Sequence, residues 1–351
     1  MNWSTAARAV SARSIDPEVF AVPLTPVQRR TPDLPPAVGP AEVVLLDLPT
    51  LPTDATPVLL RAAIVADPWP GPVAVWRSFD GQSFERIAVA IAPAIVGETL
   101  DAAPAGPAGR FDKAAKFRVR LYRGTLASVG DAAVLAGANA ACLMQPDGSA
   151  EVIQFANAEL VGERTYEISR LLRGQAGSEP AIGRPLAAGA RFVLLDGNLV
   201  ELARGVDLLG RTMQLRVVAA DRSHGDPTAV ARAATPQPTA LRPLAPVHLR
   251  ARRGAAGITL SWVRRTRRDG DSWAAAAEVP LGEDSEAYVV DILSGASVVR
   301  SFATSEPSAL YATADELADF AVPQTSLAVR VAQRSAIVGP GFPTKSTLTV
   351  R

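Results

Sequence analysis

The sequence predicts a mainly β protein: irregular β-meander or barrel-like bodies, then a β-sandwich, with an extended N-terminal arm. Three observations predict it. The 351 residues include 26 glycines and 29 prolines, and residues of positive or fixed φ are what tight turns require. Between them lie short runs rich in Val, Ile, Leu and Phe, close to the ~5–6 residues that a strand needs. Apolar residues at helical spacing are scarce.

The elements follow in order. Residues 14–40 contain prolines at 17, 23, 26, 32, 35, 36 and 40. A run so poor in N–H donors cannot pair into a central strand, so residues 1–40 read as an extended proline-rich arm, a strap on its own β domain or on a neighbouring subunit. Strand-like runs then occur at 58–65, 73–78, 117–122, 150–155, 191–195 and 213–218. Asp80-Gly81 and Asp147-Gly148 each stand between two such runs, the strongest local signal for a hairpin. The alanine-rich stretch 131–141 reads as a helical segment or, because Gly137 interrupts it, equally as a short turn or loop. Residues 314–320 read as one or two helical turns capped by Thr313. A second proline-rich break at 235–249 sets the main boundary. It separates a β-rich domain over 41–240, with a subdomain split near residue 110, from a domain over 243–351.

In that last domain, PVHLRARR and GITLSWVRRT read as the first two strands, with Ile258, Leu260 and Trp262 on one face by period two. Tyr288, Val290 and Ile292 form the inward set of the next strand, and Leu327, Val329 and Val331 that of a later one. KSTLTVR closes the sheet. The second-strand tryptophan and the late VRVAQ…GPG segment resemble a fibronectin type III domain.

Charge and composition exclude several functions. Lys plus Arg is 36 against 35 Asp plus Glu, a net charge of +1, without the basic excess that displaces counterions from nucleic acid. Cys142 is the one cysteine and His224 and His248 the two histidines. An intramolecular disulfide is impossible, a multi-cysteine zinc or iron–sulfur site is excluded within one chain, and no metal or cofactor is expected. No apolar run approaches the ~20 residues of a membrane span, and no leader is recognisable, so the expectation is a soluble protein made in the cytoplasm without membrane insertion.

Motifs with chemical potential have bland readings beside them. In LLRGQAGSEPAIG (171–183), Arg173 and Glu179 offer an anion clamp, but a strand ending at Leu172, a turn at Gly174 and a loop with Gly177 explain the same string, and no following helix is expected to cradle a phosphate. In WVRRTRRDGDSW (262–273), four arginines between two tryptophans read either as a polyanion patch or as a strand end paired with Asp269, Asp271 and Glu283. Asp80, Glu85, Asp112, Glu151 and Glu159 fall at strand ends and turns, where acids are ordinary. No nucleophile elbow, P-loop or dinucleotide fingerprint is present. No catalytic residue, and hence no enzyme, is expected. Trp69, Trp76 and Trp273 are the candidate glycan-stacking platforms.

VWRSFDGQSFERIA, VGETL, RFDKAAKFRVRLYRGTLAS, GANAACLMQPDGSAEVIQFANAEL, YEISRLLRGQAGSE, RFVLLDG, RPLAPVHL, LSWVRRTRRDGDSW and EVPLGEDSEAYVVDIL occur in this order. The series resembles the C-terminal part of the large baseplate, or tail-tip, protein of gene transfer agents and related tailed phages, over roughly residues 58–351. The glycosidase-like barrel and hub-like region found upstream in that family do not precede the match here, which is expected of a split gene or a portion of a longer chain. The resemblance implies a structural virion protein of the tail baseplate, a homotrimer contacting hub, distal tail protein and fibres, positioned for host attachment. A second expectation is an adhesion module for host-envelope glycans.

Overall fold

A computed structural model describes residues 9–17, 40–145, 148–182, 185–268, 270 and 278–351. The chain divides into unit 1–37 and unit 38–351. Residues 18–39, the bulk of the expected arm, lie outside the described residues. The second unit is mainly β, as the punctuation of the sequence predicts.

Its first strands are β1 (Glu42–Leu46), β2 (Leu60–Val65), β3 (Val73–Ser78) and β4 (Glu85–Ala90). Six more, β5 (Val96–Thr99), β6 (Asp112–Leu121), β7 (Ala140–Met144), β8 (Ala150–Gly162), β9 (Thr165–Leu172) and β10 (Arg191–Leu194), close into a barrel in the order β10-β5-β6-β9-β8-β7. Two short helices decorate it, α1 (Asp131–Leu135) and α2 (Glu179–Ile182). Then come β11 (Val200–Ala203), β12 (Met213–Ala219) and β13 (Val230–Ala234), which return to the first four strands. They complete the sheets β1-β2-β11 and β13-β12-β3-β4, which pack as a sandwich around Leu59, Ile64, Val75, Met213, Leu215 and Val217.

The barrel is therefore nested inside the sandwich. The nesting is geometrically inexpensive because the first and last barrel strands are neighbours, with Val96 opposite Val193. Entry and exit of the inserted body lie side by side, as they would for a hairpin loop. β5 and β6, on either side of residue 110, pair directly.

Sequence pattern explains each body. In β6, Ala115, Phe117, Val119 and Leu121 are buried while Lys116, Arg118 and Arg120 face water, the alternation of a barrel wall with one wet face. β2, LRAAIV, is buried at every position. Leu60, Ala62 and Ile64 enter the sandwich core, and Ala63 and Val65 pack on Val96, Cys142, Val152 and Val193 of the barrel's outer wall. A strand covered on both faces has no use for polar alternation. The hairpin predicted at Asp80-Gly81 joins β3 to β4, with Gly81 at φ +76°. β7 and β8 pair around 147–148 as expected, although Asp147 itself lies outside the described residues.

The C-terminal body comprises β14 (Val247–Gly254), β15 (Gly257–Val263), β16 (Tyr288–Ser294), β17 (Ser297–Thr304), β18 (Ser308–Ala312), α3 (Thr313–Phe320), β19 (Ser326–Ser335), β20 (Gly339–Pro340) and β21 (Thr344–Thr349). Sheet β14-β15-β18 faces sheet β17-β16-β19-β21. All nine residues expected to point inward on three strands are buried. This strand order, three against four, is that of a fibronectin-like sandwich. One local expectation is corrected: Thr313 is the first residue of α3 and not its cap. The cap position is Ala312, which offers no side-chain acceptor, while the Thr313 N–H donates to Ala256 O at 3.1 Å.

Candidate functional site

Arg173 ends as a structural residue. β9 stops at Leu172, and Gly174 at φ +61° turns the chain. The Arg173 side chain is fully buried, and its Nε and Nη2 donate to the two carboxylate oxygens of Glu151 at 2.6 and 2.7 Å. Nη1 donates to Pro104 O at 3.1 Å, and the Gly174 N–H donates to Glu151 Oε1 at 3.1 Å. With three N–H groups engaged and the whole side chain shielded from solvent, this guanidinium is not presented to an external anion. Glu179 pairs instead with Arg265 at 2.6 Å, and a Cβ on Gly177 would meet Leu244 Cδ2 at 2.3 Å. The distinctive string of the barrel is thus the seat on which the C-terminal sandwich rests.

Three of the four arginines after Trp262 are also committed, Arg265 to Glu179 as above. Arg264 pairs with Glu278 and Glu286 at 3.2 and 3.0 Å, and Arg267 with Glu283 at 2.7 Å. Asp269, Asp271 and Trp273 lie outside the described residues. Among the described residues no group of three or more His, Cys, Asp or Glu is arranged to hold a metal ion. Cys142 is buried between barrel and sandwich, and burial pushes its thiol up to about 12.

The remaining candidates gather on the sheet β13-β12-β3-β4. Trp69 is half-buried against the sandwich core. Trp76 is half-buried on the opposite, outer face, because its neighbours Val73 and Val75 point inward. Over it folds the 220–229 loop. His224 lies 4.8 Å from the Phe84 ring at 20° and 5.4 Å from the Trp76 ring at 58°. Arg216 lies over Phe84 at 5.9 Å, and Arg211 over Phe79 at 4.2 Å. Phe79, 40% exposed, borders a shallow groove of about 410 Å³ with Phe84, Arg77 and Glu85. The carboxylate of Asp80 shapes this hairpin, accepting from the Gln82 and Ser83 N–H groups and the Ser78 hydroxyl; these bonds hold its pKa well below the usual range.

Sequence reading singled out Trp76 but missed Phe79, Phe84, Arg86, Arg211 and Arg216. A two-residue Asp-Gly turn would place Glu85 across from Trp76; the longer loop of the structure puts Arg86 there. Nothing local announces Arg216, which reaches the same face from beyond the barrel.

Comparison with known proteins bears on the barrel. Residues 94–193 match the family model Rcc01698-like, C-terminal, a gene-transfer-agent-associated family. That segment is the barrel. The match begins just before β5 and ends within β10, leaving both sandwiches outside it. No curated protein matches the sequence. Among solved structures, the crystal structure of chicken CNTN1 FN1–FN3 domains aligns over 70% of this chain and 67% of that chain, with 12% identity and a TM-score of 0.22.

Proposed function

We propose that the chain is a structural component of the tail tip, or baseplate, of a gene transfer agent or related tailed phage, built into the particle and positioned near the host surface. The observation that carries this reading is the agreement between the family match at 94–193 and one closed structural body, the barrel. The barrel is tied on both sides, to sheet β1-β2-β11 through the Val65, Cys142 and Val152 seam and to the C-terminal sandwich through Arg265–Glu179. Such cross-bracing suits a part that transmits position. In this reading the protein acts by assembly rather than by turnover, as a homotrimer that contacts hub, distal tail protein and fibres.

The test is localisation in purified particles. Mass spectrometry of separated heads and tails is expected to find this chain in the tail fraction, and cross-links are expected to join it to other tail proteins. Its recovery only outside particles, or in the head fraction, rejects the reading.

A further inference from the structure

Among the described residues, the strand edges of this chain are closed or short, with one exception. The barrel, being closed, has no edge. In the N-terminal sandwich β4 lies against β11 and β1 against β13. On one side of the C-terminal sandwich, β14 and β21 are tied by the Ala251–Val350 bridge and by the Arg253 N–H, which donates to Arg351 O at 2.7 Å. On the other side β18 is five residues long and runs into α3, which packs on it. The exception is β17. Its sequence SVVRSFAT is eight residues long and pairs with β16 on one side only. Among the described residues no backbone group of 297–303 bonds to anything but β16.

Open edges are ordinarily guarded by lysine, proline or charge, and β17 has neither lysine nor proline. Its single charged residue, Arg300, shares the inner face with Phe302 and is held by Asp315 and Asp319 of α3 at 3.1 and 2.7 Å. Val299, Ser301 and Ala303 are exposed. A register shift at Val299 is the one irregularity, and Arg300–Thr304 pair regularly with β16. Such an edge accepts an extended strand through its main chain, and the strand that matches it in length, pattern and charge is β17 itself. Laid antiparallel about a two-fold axis at Ser301, β17 sets Val299 opposite Ala303 of a second copy, Arg300 opposite Phe302 of that copy, and Ser301 opposite its own counterpart. Apolar then meets apolar, hydroxyl meets hydroxyl, and guanidinium meets a ring. Centring at Arg300 would oppose like charges, and centring at Phe302 would leave Val299 without a partner. We propose that β17 is a self-docking edge, through which two copies of the chain join their sheets β17-β16-β19-β21 into one continuous sheet. An isologous contact closes at two copies. It is therefore distinct from the threefold contact of the assembly reading and stands or falls apart from it.

The experiment compares sedimentation equilibrium of the full parent chain and of Ser301→Lys over a concentration series. The substitution sits at an exposed edge position and sets two lysines opposite each other at the axis, so self-association is expected to be lost while the melting temperature stays near the parent's. The parent is expected to reach twice the variant's mass, whatever other contacts the two share. Equal masses for the parent and the folded variant overturn the proposal. Cysteine variants read the register directly. Opposed Cα atoms in an antiparallel ladder stand ~4.5–5.5 Å apart, within the reach of a disulfide, and buried Cys142 does not compete. Ser301→Cys is expected to form a reductant-sensitive cross-link between two copies. Val299→Cys is expected not to, since Val299 stands about 13 Å from its own counterpart along the strand. No cross-link at Ser301→Cys, or one formed as readily at Val299→Cys, overturns the proposal as well.

Discussion

The two sandwiches solve the same packing problem with opposite chain orders. In the C-terminal one every strand pairs with partners inside residues 247–350, and the inward apolar residues of β15, β16 and β19 recur at every second position. In the N-terminal one, Val75 pairs with Val217 and Ala62 with Val200, across a complete barrel. Loop closure entropy grows only logarithmically, ~0.6 kcal/mol for each doubling of length, so the long detour weakens the nested sandwich little once formed. Its cost falls on folding rate, because non-local pairs form last. The barrel reduces even that cost by bringing residues 96 and 193 together when it closes.

The largest effect expected from this comparison is all-or-none. A chain ending at residue 195 lacks β11, β12 and β13, and so loses Met213, Leu215 and Val217 from the sandwich core. It is expected to show no cooperative transition for the N-terminal sandwich in a thermal scan. A chain lacking residues 243–351, or one with 94–193 replaced by a short glycine-rich linker, is expected to keep that transition. Loss of the transition in the linker variant would refute the view of the barrel as an insertion with adjacent ends.

Next in size is Trp262→Ala in an isolated 243–351 fragment. Trp262 is 5% exposed and meets Tyr288 edge-on at 5.1 Å, at the centre of the C-terminal core. Truncating it is expected to destabilise the fragment by ~3–5 kcal/mol, measured by urea unfolding. A change under ~1 kcal/mol would remove Trp262 from the core.

Glu151→Ala tests the barrel. It leaves the Arg173 guanidinium buried without its counter-charge, an expected cost of roughly 3 kcal/mol. Cys142 supplies the readout, since it lies in the same wall and its thiol is shielded until that wall opens. Labelling by a thiol reagent is expected to quicken in the variant. An unchanged labelling rate would mean that the ion pair does not hold the barrel closed.

How much of this was legible follows from the same contrast. The inward triads Ile258, Leu260, Trp262 and Tyr288, Val290, Ile292 are readable because period two is local and the polar residues Thr259, Ser261 and Asp291 fall between them. The Asp80-Gly81 hairpin is readable because its turn chemistry is local too. Closure of the barrel, its nesting, and the pairing that sets Arg216 of β12 opposite Trp76 of β3 are not readable, since each depends on register between strands separated by most of a domain. β2 hid for another reason: with both faces covered, LRAAIV carries no alternation to read. Thr313 was misread because a threonine before an acidic turn imitates a cap, and only the backbone places it one residue inside the helix.

The smallest expected effects are electrostatic, and they separate the two bodies by pH. In the C-terminal sandwich, the Glu316 carboxylate accepts from the Arg253 guanidinium at 2.9 and 2.8 Å and from the Gln324 N–H at 2.6 Å. The Arg253 bonds hold its pKa below the ordinary 4.5. In the barrel, Asp101 accepts from the Arg118 side chain and backbone, which lower it from 3.8 to about 2. Both groups are depressed on folding, so the folded state binds fewer protons than the unfolded chain. Their contribution is complete above the unfolded values and is lost as pH falls through the folded ones. Melting temperature is therefore expected to decline between pH 4.5 and about 2. Glu316→Gln, at a side chain shielded from solvent, is expected to flatten that decline for the C-terminal transition. Asp101→Asn, at a pair open to water, is expected to flatten the barrel's decline far less, because solvent screens exposed pairs. Equal slopes for Glu316→Gln and the parent would show that this carboxylate does not carry the acid sensitivity of the sandwich.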